Sequence, residues 1–213
     1  MDALALLLAD SRFPSGGYAH SLGLEQAVAD GLTDVPAFVR ARQRLVAGAD
    51  ARFAVAARRG EDLAALDAEW SARCPSPEIR TAARRLGAQL LRSAATVWDD
   101  DRIAAYREAS STTPRPIALG VVGAVAGLDD EAVALLSLYD DAATVTSAAL
   151  KLLPLDPARA ARWLAELGPE MERAAREAAA DRRPVAEQPA PAAVALELAA
   201  PVHQRRRERL FAS

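Results

Sequence analysis

The groups in this chain that could transfer protons, attack a carbonyl or hold a metal are two histidines, one cysteine and 29 carboxylates, and their spacing excludes most such chemistry. His20 and His203 are too far apart for a local ligand pattern, and no His-Glu-x-x-His pair occurs. Cys74 stands between Arg73 and Pro75 with no histidine nearby in sequence, and there is no Gly-x-Ser-x-Gly elbow. A Gly-x-x-x-x-Gly-Lys-Ser/Thr loop is also missing, because the single lysine, Lys151, follows Leu150. Nucleotide hydrolysis and serine or cysteine hydrolase chemistry therefore have no support, and no catalytic residue, metal ligand or cofactor is assigned. The remaining enzymatic reading centres on His20 with Glu25 or Asp10. Glu25 lies five residues on, too far round a helix for an i,i+4 pair.

One segment is too specific for scaffolding: Phe13-Pro14-Ser15-Gly16-Gly17-Tyr18-Ala19-His20-Ser21-Leu22-Gly23-Leu24-Glu25. Pro14, Gly16 and Gly17 form a structural loop, and the glycines suit both a turn needing positive φ and a backbone that a partner approaches closely. Tyr18, an aromatic at a Gly-rich surface turn, has the form of an interface anchor. His20 reads more simply as a hydrogen bonder at a helix start than as a metal ligand. Lys151, placed at a helix C-terminus, is favoured there by the helix dipole alone. Arg205, Arg206 and Arg207 read as a solvated tail.

The elements that must position these residues are helical. Fifty-two alanines and only 5% aromatic residues favour close helix packing, so the expectation is an all-α, single-domain bundle of about eight to ten helices with a C-terminal tail. Residues 1–182 form the bundle, and 183–213 form a Pro-rich linker, a short helix and a basic partner-binding tail. A first helix runs from Asp2 to Ala9 and a second from Ser21 to Asp30, stopping at Gly31. Asp34-Val35-Pro36 opens a third, with Phe38, Leu45, Val46 and Phe53 on its apolar face and Arg40, Arg42 and Arg44 away from it. Ser76 is placed to cap a helix whose buried stripe is Leu86, Leu90 and Val97. Gly120 to Val125 could be a strand by composition. Glu131 to Leu153 is apolar on nearly every face except at Asp140 and Asp141, so it belongs at the centre of the bundle or in a dimer interface. Asp156-Pro157 opens another helix through about Ala180, and Ala192 to Ala200 forms the last. Leu210 and Phe211 then stand among five charges, which predicts a tail that orders only in a partner's groove.

A formal charge of -3 argues against a chain that coats nucleic acid. The N-terminus has no basic n-region and the longest uncharged run, Pro116 to Leu128, is 13 residues, so neither secretion nor membrane insertion is expected. A single cysteine fits a reducing cytoplasm. The length and helicity also suit a dimeric α-helical DNA-binding transcriptional regulator. Against that, the first 60 residues pass through a Gly-Gly loop where such a regulator needs a basic recognition helix.

The Phe13 to Glu25 segment resembles the signature of the urease accessory protein UreF family: a hydrophobic residue, Pro, any residue, Gly, Gly or Ser, an aromatic, a small residue, usually His, Ser, any residue, then Gly-Leu-Glu. Val145 to Leu155, containing Ala149-Leu150-Lys151-Leu152-Leu153-Pro154-Leu155, resembles the family's long helix ending in Val/Leu-Lys-x-x-Pro-Leu, and the chain closes, like the family, with His203, Arg209-Leu210-Phe211 and Ser213. It departs at Gln204, where the family usually has Glu, and at Arg207-Glu208, where it usually has Tyr-Ser. The resemblance implies an all-α, non-enzymatic chaperone that forms a homodimer and bridges a UreD (or UreH) accessory protein to a UreG-like GTPase, with nickel delivered to apo-urease as cargo. It also implies partner-binding roles for Tyr18, His20, Ser21, Glu25, Lys151, His203, Arg209, Leu210 and Phe211.

Overall fold

The computed structural model describes residues 3–109 and 113–212; Asp2 and Ser213 lie outside the described residues. Among these the fold is all-α, with no strand. In chain order the helices are α1 (Ala3–Ala9), α2 (Leu24–Ala29), α3 (Val35–Arg42), α4 (Gly48–Arg58), α5 (Leu63–Arg73), α6 (Pro77–Val97), α7 (Asp101–Ala109), α8 (Arg115–Val125), α9 (Asp130–Leu152), α10 (Pro157–Ala180) and α11 (Val194–Arg205). A π-helical turn, Gln43–Ala47, joins α3 to α4.

The helix starts follow from local side-chain chemistry. Asp34, Asp62, Ser76, Asp129 and Asp156 each accept a backbone N–H of the first turn that would otherwise lack a partner. Proline stands in the first turn of α3, α6 and α10, where its missing N–H costs nothing. The segment 120–125 lies within α8, so its apolar run serves a buried helix and not a strand.

The long helix α9 occupies the centre, with α10 along one side and α4 along another, while α8 lies on α4 and α6. Val133, Ala134, Leu138, Ala142, Val145, Ala148 and Ala149 of α9 are all buried. The alanine-rich composition acts here as close approach: a Cβ at Gly120 of α8 would stand 2.2 Å from the Ala54 carbonyl oxygen of α4, so these two helices meet backbone to backbone. Three apolar clusters result. One joins α3, α4, α9 and α10, one joins α1, α6, α8 and the start of α9, and one joins α4 and α5 to Val185 of the segment after α10.

Two apolar faces differ from expectation. Phe53 is buried, but Phe38 and Val46 are half-buried and Leu45 is exposed. Val35, Val39 and Arg42 follow one another at ordinary helical spacing before the π turn, so Arg42, expected on the outside, is inside. The π turn then adds backbone and shifts the register, so the inward positions continue at Ala47 and Ala51. On α6, Leu86 and Leu90 are buried, but Val97 is half exposed at the last turn, where the chain leaves the helix through an extended Trp98.

Candidate functional site

The Gly-rich loop is tied to the bundle from below. Ser93 Oγ and Gln89 Nε2, both on α6, donate to the Pro14 carbonyl at 2.7 and 2.9 Å. Gly16 then takes a left-handed φ of 85° and starts a 3-10 turn over Gly17–Ala19; Gly17 itself needs no positive φ. The turn lifts Tyr18 into solvent, at 76% exposure. After Ser21 the chain reverses through two left-handed residues, Leu22 (φ 52°) and Gly23 (φ 90°), and α2 begins.

That reversal brings Glu25 under the C-terminal tail. Its buried carboxylate receives three donors: His203 Nε2 at 2.7 Å, the Leu210 amide at 2.7 Å and the Phe211 amide at 3.2 Å. Burial by itself raises the carboxyl's pKa, but the bond from His203 and then those from the two amides outweigh it and hold the group below the usual carboxylate range. An ionised Glu25 only accepts, so Nε2 of His203 carries the proton it shares. Ser21, fully buried, accepts the Glu25 amide on its hydroxyl.

Lys151, at the end of α9, joins the loop to the tail. Its Nζ donates to the Tyr18 carbonyl at 3.2 Å and lies 5.1 Å from the centroid of the Phe211 ring, an ammonium over an aromatic face. The Ala212 amide donates to the Ala19 carbonyl at 2.8 Å. Gln204, one of the departures from the family pattern, donates to the Ala212 carbonyl and accepts from Arg209. The tail thus has a groove on its own chain: Phe211 is buried in the central apolar cluster, while Leu210 stays exposed. The expectation that neither residue could join a core is corrected for Phe211. Burial of its ring, the Lys151 contact and the amide bonds to Glu25 together offset the entropy of ordering the segment.

Of the residues singled out from sequence, the arrangement buries Ser21, Glu25, His203 and Phe211 and leaves Tyr18 and Leu210 exposed. His20 is buried too, where a surface position was expected. Burial first, then the charges of Arg115 and Arg85, lower its pKa to about 4, so the imidazole is neutral near pH 7. No group of three or more His, Cys, Asp or Glu side chains among the described residues is placed to hold a metal ion. Burial also pushes the Cys74 thiol up to about 12, which makes it a poor nucleophile.

Sequence reasoning missed two features of the site. Val194, Leu198 and Val202 form an exposed stripe along α11 at four-residue spacing, a signal visible in the sequence of that helix. Arg42 and Asp141 form a buried ion pair, of which only the acidic half was legible as a charge within an apolar helix. A cavity of about 190 Å³ lies between α11 and the body, lined by Gln26, Arg42, Asp50, Trp70 and Asp141 among others. Burial raises the Asp50 carboxyl to about 6, against the lowering effect of the Trp70 Nε1–H bond at 2.9 Å.

A family model described as UreF matches residues 30–168. The chain is 35% identical over 219 residues, covering 99% of this chain and 98% of the relative, to the urease accessory protein UreF of Mycolicibacterium vanbaalenii. It is 38% identical over 213 residues (98% of this chain and 97% of the relative) to the protein of the same name from a Mycobacterium species, strain JLS. With that of Mycobacterium marinum it shares 40% identity over 162 residues, covering 73% of this chain and 74% of the relative.

Proposed function

This chain belongs to the UreF family of urease accessory proteins, and from that membership we propose that it is a non-enzymatic chaperone of urease maturation in the cytoplasm. In this reading it bridges a UreD/UreH-like accessory protein and a UreG-like GTPase for nickel insertion into apo-urease. Residues 1–182 supply the body and 183–213 the recruiting segment. Family membership displaces the DNA-binding regulator as the working alternative.

The observation that carries the reading is the single surface built from three distant segments: the Gly16 to Ala19 turn, the end of α9 and the tail. Ser21, Glu25, Lys151, His203 and Phe211 hold that surface together, and Tyr18, Arg209 and Leu210 are what it offers outward. A surface ordered before binding loses less conformational entropy on association than a tail that must fold onto its partner. The chain then acts by holding two partners at high effective concentration, and it biases the GTPase only through tighter binding to one of its nucleotide states. Leu6 and Leu7, exposed on α1, give the homodimer its apolar contact in this reading.

The test is co-purification of the tagged native chain and a Tyr18→Ala, Leu210→Ser variant with the accessory proteins, scored against nickel content of the urease produced. The variant should fold, lose the UreD-like partner and yield urease depleted in nickel. Full recovery of partner and nickel by a folded variant would move the recruiting surface elsewhere.

A further inference from the structure

The backbone that presents Glu25 to the tail is held by a side chain that lies outside the exposed rim. Arg42 is buried and grips Asp141 of α9 with Nε and Nη2, while its Nη1 donates to the Leu22 carbonyl at 2.9 Å. Leu22 is the one non-glycine residue with positive φ among the described residues, and Gly23 after it sits where a Cβ would stand 2.9 Å from Leu196 of α11. A leucine in the left-handed region is disfavoured by its own Cβ, so it persists where the surroundings hold it. Gln43, the first residue of the π turn, adds a second contact to α9 beside Arg42: its Nε2 donates to the Leu138 carbonyl at 3.1 Å.

We infer that Arg42, anchored by Asp141, is a positioning residue for the recruiting surface: it holds the Leu22–Gly23 reversal that aims α2, and with it the Glu25 carboxylate, at the tail. The inference rests on the reading of this surface as the partner site, but its structural half is testable without any partner. A guanidinium can meet a carboxylate with two N–H groups and a carbonyl with a third in one plane. An ammonium on a different stem cannot reproduce that fork.

The test is amide hydrogen exchange on the full chain. Leu210, Phe211 and Ala212 report the docked tail, and Leu167 and Ala175 on α10 report the body. The main variant is Arg42→Met with Asp141→Leu, because exchange of a buried ion pair for apolar side chains of similar volume leaves many folds intact. The tail amides should lose about tenfold or more in protection while the α10 amides change about twofold or less. Arg42→Lys should show the same selectivity with a smaller loss. Unchanged tail protection overturns the inference, as does an equal loss in tail and body, and so does a chain that folds with neither variant, since Arg42 is then a core residue and nothing more. Selective tail release with unimpaired capture of the UreD-like partner would instead uphold the positioning role and remove the tail from the partner site.

Discussion

The α9-centred body and the loop-tail surface are held by different physics. In the body, alanine and glycine let helices touch, and small apolar groups such as Ala142, Val145 and Ala148 fill the space between α9 and its neighbours. At the surface, one carboxylate, one ammonium and one aromatic ring hold three segments together: Glu25, Lys151 and Phe211. The contacts between α9 and its neighbours in that apolar cluster depend on volume, with ion pairs such as Arg42–Asp141 and Arg115–Asp140 set around them. The surface depends on which groups carry charge, so it opens under conditions that leave the body closed.

The largest effect should come from putting a charge where only volume counts. Val145→Glu should destabilise the fold by on the order of 3 kcal/mol or more, since a lone buried carboxylate has no partner there. Chemical denaturation measures it, and a shift under about 0.5 kcal/mol would break the contrast between the two regions.

Removal of Val202 to Ser213 is next. It exposes the cluster that Phe211 covers and takes all three donors from Glu25, so stability should fall by about 2 to 4 kcal/mol along with partner capture. A truncated chain with native melting would show that the tail adds nothing to the body.

Acid should open the surface first. The Glu25 pKa is depressed in the fold, so its contribution is fully present above the unfolded value of 4.5 and is lost as pH falls through its lower folded value. His20 acts in the same direction: with its pKa lowered from 6.5 to about 4, the stability it contributes is complete above 6.5 and declines as pH falls toward 4. Tail amides should lose protection below about pH 5 before the α10 amides do, and simultaneous loss would mean one cooperative unit.

The smallest effect on stability belongs to Tyr18→Ala. The side chain is mostly solvent-exposed and its contact with Lys151 runs through the backbone carbonyl, so melting should move by no more than about 0.5 kcal/mol while partner capture falls. Comparison of circular dichroism melts with pull-down yields separates the two, and a large drop in melting temperature would place Tyr18 among the structural groups.

Much of the fold was legible because helix starts and stops are local events. Asp34-Val35-Pro36, Ser76-Pro77 and Asp156-Pro157 each open a helix as their spacing predicts, and the apolar run ending at Leu152 is the central helix. The loop motif was legible as a turn, with Tyr18 outward. What failed was the periodic reading across α3 and α4. Arg42 shares the inward face of α3 with Val35 and Val39, and a strict helical period then assumes one register where the π turn at Gln43–Ala47 shifts it, which buries Ala47 and exposes Leu45.

The sequence by itself determined the all-α class, the capped boundaries and the identity of the loop, because each is set by residues within a few positions of one another. Tertiary structure alone decided that Glu25, Lys151 and Phe211 would meet, that His20 would be buried and that Arg42 would find Asp141. Those contacts join residues 60 to 186 positions apart, as in the 186 between Glu25 and Phe211 or the 99 between Arg42 and Asp141. Burial and partner choice at that range depend on how whole helices pack, and no local pattern encodes it.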